Sequence, residues 1–206
     1  KAGAYSVSGV ESGATVEYKV GTGDWSQTQP SATEGSNTIS VRQTDAAGNV
    51  SDASTLNFTL DTSEPAAPTL ALNSDTGTSG DGVTNSGAYS VSGVENGATV
   101  EYRVGTGAWS QTQPSATEGS NTISVRQTDA AGNVSAASTL NFTLDTSAPA
   151  VAITSGTTTN DATPVISGTA EAGSSVSLSI GGAVFNTTAT GGTWSVNTET
   201  ATPSSG

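Results

Sequence analysis

Residues 98–104 read Ala-Thr-Val-Glu-Tyr-Arg-Val, a stretch in which apolar and polar side chains alternate. Val100, Tyr102 and Val104 fall on one face of an extended chain, and polar residues lie between them. An alternation with a period of two is typical of a β-strand that is buried on one face. The turn residues Gly105-Thr-Gly107 follow directly. The stretch therefore predicts a short strand that ends in a tight turn.

The same alternation recurs along the chain and is interrupted each time by residues that favour turns. It predicts further strands at residues 121–126 and 138–144, and around residues 70–72 and 89–91. No stretch places apolar residues at helical spacing. About seven short strands in roughly 84 residues, with one central Trp109, predict an immunoglobulin-like β-sandwich. The predicted fold class is therefore all-β.

The chain contains one long sequence twice. Residues 3–61 recur at 87–145, and the differences within this window are Ser12/Asn96, Lys19/Arg103, Asp24/Ala108 and Asp52/Ala136. A period of this length is too long for the unit of a solenoid, but it matches a small autonomous β domain. We therefore predict tandem immunoglobulin-like β-sandwich modules in a linear array.

Links that contain proline mark the boundaries between these modules, at Asp61-Thr-Ser-Glu-Pro65 and at Asp145-Thr-Ser-Ala-Pro149. The predicted modules are residues 1–61, residues 62–146 and a divergent third module at residues 147–206. The first module is expected to lack its opening strand, because residues 62–86 have no counterpart before Lys1. The third ends before its last strands, and we expect it to be incompletely folded unless a neighbour completes it.

The charge of the chain restricts its partners. Five Lys and Arg residues against 18 Asp and Glu residues give a net charge of −13. Nucleic acids and anionic membrane surfaces are therefore disfavoured, and no apolar run is long enough for insertion into a bilayer. Cys, His and Met are absent, which removes disulfides and the usual ligands of zinc and copper. The remaining hard oxygen ligands suit Ca²⁺.

The sequence also argues against an enzyme. Without His and Cys the chain has no common nucleophile–base pair. Asp75-Thr-Gly77 spells an aspartic-protease motif, but that chemistry needs two carboxylates that share a proton in an apolar cleft. The triplet occurs once, in a polar loop. We therefore predict no catalytic residues.

One pair of motifs carries a family resemblance. Thr128-Asp-Ala-Ala-Gly-Asn133, then a strand, then Leu144-Asp-Thr-Ser-Ala-Pro149 resembles the bacterial Ig-like modules of giant surface adhesins. That family includes biofilm-associated proteins and the long calcium-dependent adhesins that Gram-negative bacteria export by type I secretion. The resemblance implies an extracellular location on the bacterial surface. It also implies a monomeric rod, in which Ca²⁺ between neighbouring modules holds an adhesive tip away from the cell, and the adhesive ligand binds elsewhere in the parent protein.

The order of the strands predicts where the acidic side chains meet. Asp61 lies in the first link, and the turn at Glu95 and the loop at Asp129 are expected at the end of the second module where this link arrives. The three acids would form an oxygen cluster for calcium, with Asn133 as an additional ligand. The alternative is that they only cap turns, as Asp and Asn commonly do.

Two further calcium sites are predicted. The same strand order places Asp145 and Glu171 at the junction of the second and third modules. In the loop of residues 74–85, Asp75, Asp81 and Asn85 are candidate ligands of one ion. This loop lacks the Glu of an EF-hand, and the alternative is a solvated Gly-rich loop.

These expectations favour a calcium-stiffened spacer in a bacterial adhesin for cell adhesion or biofilm formation. The alternative function is a ligand-binding module for a glycan or a host protein, for which an exposed Trp would be the sign. Trp25, Trp109 and Trp194 are expected to be packing residues first, with Trp194 the counterpart of Trp109.

Overall fold

The computed structural model describes residues 5–203. The ends of the predicted first and third modules, residues 1–4 and 204–206, lie outside the described residues. The described part contains fourteen strands and no helix, which confirms the all-β fold class. Consequently, it has no helix that could cross a membrane. The chain divides into two compact units, Lys1–Asp145 and Thr146–Gly206.

The strands are named in chain order. The first module contains β1 (Thr15–Val20), β2 (Gly35–Thr44) and β3 (Ser54–Leu60). The second contains β4 (Thr69–Leu72), β5 (Val83–Thr84), β6 (Tyr89–Ser92), β7 (Thr99–Val104), β8 (Gly119–Thr128) and β9 (Ser138–Leu144). The second unit contains β10 (Val151–Ile153), β11 (Val165–Ala170), β12 (Ser175–Ile180), β13 (Ala183–Thr188) and β14 (Thr193–Asn197).

The second module consists of two sheets around one core. One sheet has the order β5-β9-β8-β7, and the other pairs β4 with β6. All these pairs are antiparallel except β5 with β9, which is parallel. The apolar positions predicted from the alternation form the core: Tyr89, Ile123, Phe142 and Leu144 are buried, with Leu70 and Leu72 packed against them.

This module has six strands, where about seven were predicted. The segment between β7 and β8 carries only one isolated bridge, between Tyr102 and Ser110. Side chains hold the rest of it in an irregular path. The Tyr89 hydroxyl donates to the Pro114 carbonyl at 2.6 Å, and Asn121 both accepts from and donates to the main chain of Thr117. Proline and these side-chain bonds thus replace a ladder of main-chain bonds.

In its described residues, the first module contains a single sheet of order β1-β2-β3. These strands have the same register as β7, β8 and β9. The segment Tyr5-Ser-Val-Ser8 is not a strand, although the identical segment Tyr89–Ser92 is strand β6. The difference is the partner, because β6 pairs with β4 and the described part of the first module has no counterpart of β4.

The second unit has its own core between the sheets β10-β11-β14 and β12-β13. Trp194 is buried there, and a Cβ on Gly168 would lie 2.6 Å from its ring. Val151 and Ile153 of β10 pair with Ala170 and Gly168 of β11, yet each is 63% exposed. The expectation of incomplete folding therefore meets a packed core on one side and an open side at β10.

Candidate functional site

The loop after β8 is built around the Asp129 carboxylate. Its Oδ1 accepts hydrogen bonds from the main-chain N–H groups of Ala131, at 2.9 Å, and Asn133, at 2.8 Å. Its Oδ2 accepts from the Asn133 side-chain amide at 2.8 Å. Gly132 has a φ of 92°, a conformation that L side chains rarely adopt. The hydrogen bonds from Asn133, the side-chain bond first, lower the pKa of Asp129 below its ordinary 3.8.

The Asn133 amide connects this loop to the link between the modules. Its Nδ2 donates to the main-chain carbonyl of Asp61 at 3.1 Å as well as to Asp129. Two oxygens from sequence-distant segments therefore converge on one nitrogen. In the first module Asn49 makes the same bond to Asp45 at 2.8 Å, but the described residues there include no counterpart of Asp61.

Gln127 anchors the same link from the core of the second module. It lies on β8 and is 0% exposed. Its Oε1 accepts from the Glu95 N–H at 2.8 Å, and its Nε2 donates to the carbonyls of Ala66, at 2.7 Å, and Gly93, at 3.1 Å. Sequence analysis missed this residue. The available signal is a polar side chain at the next inward position after Ile123 and Val125.

Glu34 of the first module holds the other side of the link. Its carboxylate accepts from the N–H and the hydroxyl of Thr62, at 3.1 and 2.7 Å, and from the Ser63 hydroxyl at 3.3 Å. The side-chain bond from Thr62 is the main cause that lowers the pKa of Glu34. This residue was also missed; its signal is the recurrence of Glu118 before the second link. Pro65 and Pro68 of the first link are buried.

The structure places Asp61, Glu95 and Asp129 at the same end of the second module. Gln127 connects Glu95 to Ala66, and Asn133 connects Asp129 to Asp61. The carboxylates themselves do not gather: within residues 5–203, no three acidic side chains form a group that could hold a metal ion. The Asp61 carboxylate instead accepts from the N–H of Ser63 at 3.1 Å. Calcium binding by these residues stays a prediction.

The other predicted ligands lie in turns. The Asp145 N–H donates to the Thr84 carbonyl at 2.9 Å, next to the loop of residues 74–85. Glu171 belongs to the second unit, where its carbonyl accepts from the Ser174 N–H and hydroxyl in the turn after β11. Calcium binding by Asp145 and Glu171 stays a prediction.

Hydrogen bonds also order the loop of residues 74–85. Asp75 Oδ2 accepts from the Gly80 N–H at 2.7 Å, Asp81 Oδ1 accepts from Val83, and the Asn85 N–H donates to Thr76 Oγ1. The expected turn chemistry is therefore present. In addition, Asp75 Oδ1 is buried without a hydrogen-bond partner. An unpaired buried carboxylate oxygen is costly, and a bound cation would satisfy it.

The family follows from a comparison with protein-family models. The model described as "Bacterial Ig-like domain" matches residues 4–62 and 63–146. The chain belongs to the bacterial Ig-like domain family. These two matches are adjacent, so two bacterial Ig-like modules neighbour each other in this chain. No curated protein matches the chain.

Solved structures give lower similarities. The fibronectin(III)-like modules of Clostridium thermocellum CbhA are 16% identical, at a TM-score of 0.36, over 63% of this chain and 76% of that one. A structure reported for the host cell surface retention of a 1.5-MDa bacterial ice-binding adhesin is 24% identical, at a TM-score of 0.32, over 89% of this chain and 74% of that one.

Each bacterial Ig-like module carries a tryptophan between two cations. The Arg103 and Arg126 guanidinium groups lie 4.7 and 4.3 Å from the centroid of Trp109. Arg126 also pairs with Glu101 at 2.9 Å. Lys19 and Arg42 flank Trp25 in the same way, at 5.0 and 4.3 Å. The two clamps therefore use every Lys and Arg of the chain except Lys1.

The predicted equivalence of the tryptophans was wrong for Trp194. Trp109 lies in the irregular segment after β7 and is partly exposed, whereas Trp194 lies inside β14 and is 4% exposed. Trp194 donates from Nε1 to the Thr169 carbonyl at 3.2 Å. The packing role expected of the tryptophans thus takes two forms, a core residue in the second unit and a cation-flanked ring in the first.

Proposed function

We propose that this chain is a spacer segment of a bacterial cell-surface adhesin. In this role it holds an adhesive tip, located elsewhere in the parent protein, away from the cell. The observation that carries the proposal is the repetition of one bacterial Ig-like module with its internal contacts intact. A second copy of the same module adds length to a protein without adding a new binding chemistry.

The contacts of the two copies support this reading. The Arg42–Glu17 and Arg126–Glu101 ion pairs both measure 2.9 Å. Three of the four differing positions, Ser12/Asn96, Asp24/Ala108 and Asp52/Ala136, are exposed in both copies. Substitutions at such positions alter the surface and leave the fold unchanged. The two copies therefore differ least in the features that determine their structure.

The link between the modules supports a mechanical role. Glu34 binds it from the first module, and Gln127 and Asn133 bind it from the second. Proline residues restrict the main chain within it. A link anchored on both sides transmits force and orientation better than a free one. In our proposal these polar contacts define the junction even without metal.

Calcium is the second part of the proposal. The carbonyl oxygen of Asp61 and the carboxylate of Asp129 already converge on Asn133, and hard oxygen atoms are the ligands that Ca²⁺ prefers. Asp61, Asp129 and the side-chain oxygen of Asn133 would hold the ion, with Glu95 at the same end of the module. Bound calcium would neutralise the negative charge there. Asp75, with its unpaired oxygen, is the corresponding residue at the opposite end.

We further propose that the chain is not an enzyme and acts outside the cell. The groove beside Trp194 is lined otherwise by Thr, Ser and Gly, and the groove beside Tyr89 contains no ionisable side chain except that tyrosine. Neither arrangement supplies an acid–base pair. The partners in this proposal are the neighbouring modules of a monomeric chain.

Small-angle X-ray scattering of the full chain, in millimolar calcium and then in excess EGTA, tests the proposal. We expect a larger and better-defined maximum dimension in calcium. Asn133→Ala should reduce this response, whereas the matched Asn49→Ala should leave it unchanged. A profile that is the same in calcium and EGTA would remove calcium from the proposal. A broad distribution of dimensions in both conditions would contradict the spacer role itself.

One observation favours the second candidate function, a module that binds a glycan or host protein. In a chain of net charge −13, the partly exposed Trp109 is flanked by two arginine groups. Such a ring and its cations suit an acidic sugar. Binding on a glycan array that Trp109→Ala abolishes would favour this function, and the absence of any binding would leave the spacer role.

A further inference from the structure

The first two bacterial Ig-like modules differ in one structural respect that does not depend on the proposed function. In the second module, residues 64–86 cover one side of the sandwich. Strand β4 pairs with β6 from Thr69↔Ser92 to Leu72↔Tyr89. The side chains of Leu70 and Leu72 pack against the core residues of β6, β8 and β9.

The same core positions are uncovered in the first module. Val125 is 0% exposed, but its counterpart Val41 is only partly buried. Leu56 is 47% exposed, whereas its counterpart Leu140 packs against the core. Since the two sequences are identical at these positions, the difference comes from the absence of a covering segment among the described residues.

An open groove marks the place of that segment. It is lined by apolar residues of the first module, namely Tyr5, Val7, Ile39, Val41 and Leu56, together with small polar residues. In the second module the corresponding side chains face the core that Leu70 and Leu72 complete. The groove therefore has the width and the chemistry of a single extended strand with alternating apolar residues.

Main-chain groups point to the same occupant. In the second module the N–H groups of Thr143 and Asp145 donate to the carbonyls of Gly82 and Thr84, both at 2.9 Å. In the first module, the described residues place no strand beside the corresponding edge of β3. An unpaired strand edge is a template for the addition of another strand.

A buried side chain provides the third contact. Gln127 Nε2 donates to the carbonyls of Gly93 and Ala66, the latter in the segment that covers the core. Its counterpart Gln43 bonds to Gly9 at 3.3 Å, and the described part of the first module has no counterpart of Ala66. Gln43 therefore retains donor capacity for a carbonyl of an incoming segment.

We propose that the open face of the first module is a docking site for an extended segment with the pattern of residues 65–72, Pro-Ala-Ala-Pro-Thr-Leu-Ala-Leu. Its alternate leucines fill the groove beside Val41 and Leu56. Its main chain pairs with Tyr5–Ser8 and converts that irregular segment into a strand equivalent to β6. The carbonyl that corresponds to Ala66 accepts from Gln43. The structure of the second module is the template for each of these contacts.

A fluorescently labelled synthetic peptide of residues 62–86, titrated with the full chain, tests the proposal by anisotropy. We expect saturable binding. A control peptide with Leu70→Asp and Leu72→Asp should bind at least tenfold more weakly, because each leucine then loses its apolar contact. Gln43→Ala in the chain should also weaken binding of the native peptide, whereas Asn49→Ala, outside the groove, should not.

A fused variant of the chain locates the site. When residues 62–86 are fused upstream of Lys1, the added segment should occupy the groove intramolecularly and abolish binding of the peptide. Equal affinity for the fused and the original chain would overturn the assignment to the first module. Equal affinity for the native and the Asp-substituted peptide, or no binding at millimolar concentration, would overturn the proposal as a whole.

Discussion

The contribution of Gln127 gives the sharpest test of how the second module holds the link. Gln127→Ala removes three hydrogen bonds from a side chain that is 0% exposed. At about 1 kcal/mol for each bond, we expect a loss of about 2–4 kcal/mol in the free energy of unfolding, including the cavity that remains. A loss of this size is large compared with the stability of a small domain.

The first copy supplies the matched control. Gln43 makes the two corresponding local bonds, to Glu11 and Gly9, and lacks the third bond that Gln127 makes to Ala66. Because Gln43 is also partly exposed, Gln43→Ala should cost about 1 kcal/mol. The difference between the two variants therefore isolates the contact with the link and the burial that accompanies it.

The assay is urea unfolding of the full chain, combined with amide hydrogen exchange in β2 and β8. Gln127→Ala should lower the protection of β8 and of the link around Ala66, and it should leave β2 unchanged. Gln43→Ala should affect β2 alone. Equal losses of stability in the two copies would refute the reasoning, because the bond to Ala66 would then contribute nothing measurable.

Further predictions concern the junction, the acidic loops and the clamps. Asn133→Ala should increase amide exchange in the link at Asp61 to Ser63, whereas Asn49→Ala should not. Asp129 has a lowered pKa in the folded state, so its contribution to stability is present above its unfolded value of 3.8 and is lost as the pH falls through the folded value; Asp129→Asn should flatten this loss in an acid titration followed by circular dichroism. Trp109→Leu removes two cation–π contacts, each worth about 0.5–1 kcal/mol at a partly exposed site, and should lower the midpoint of thermal unfolding.

The strands of these modules are predictable from local sequence because their apolar alternation matches the buried faces. Ile123 and Val125, predicted to share a face, are both 0% exposed. Local sequence fails where a strand depends on its partner. Tyr5–Ser8 and Tyr89–Ser92 are identical, but only the latter forms a strand, because β4 supplies the main-chain bonds.

The junction was predictable in outline and not in detail. The order of the strands correctly placed Asp61, Glu95 and Asp129 at one end of the second module. It did not reveal that the amides of Asn133 and Gln127 make the actual connections to the link. The partner of a side-chain amide depends on the register and depth of its strand. Neither quantity is encoded in the residue type alone.

The repeated loop explains how one sequence serves both a module and a junction. Within a module, the Asn49–Asp45 bond only completes a turn. In the second copy, the same amide also donates to a carbonyl of the preceding link, so the turn becomes the connection between modules. The two readings of the acidic residues, turn caps and interdomain ligands, are therefore not exclusive. A loop that is already ordered by its own hydrogen bonds places Asp129 at the link without the entropic cost of ordering it there, and every added copy of the module repeats that arrangement.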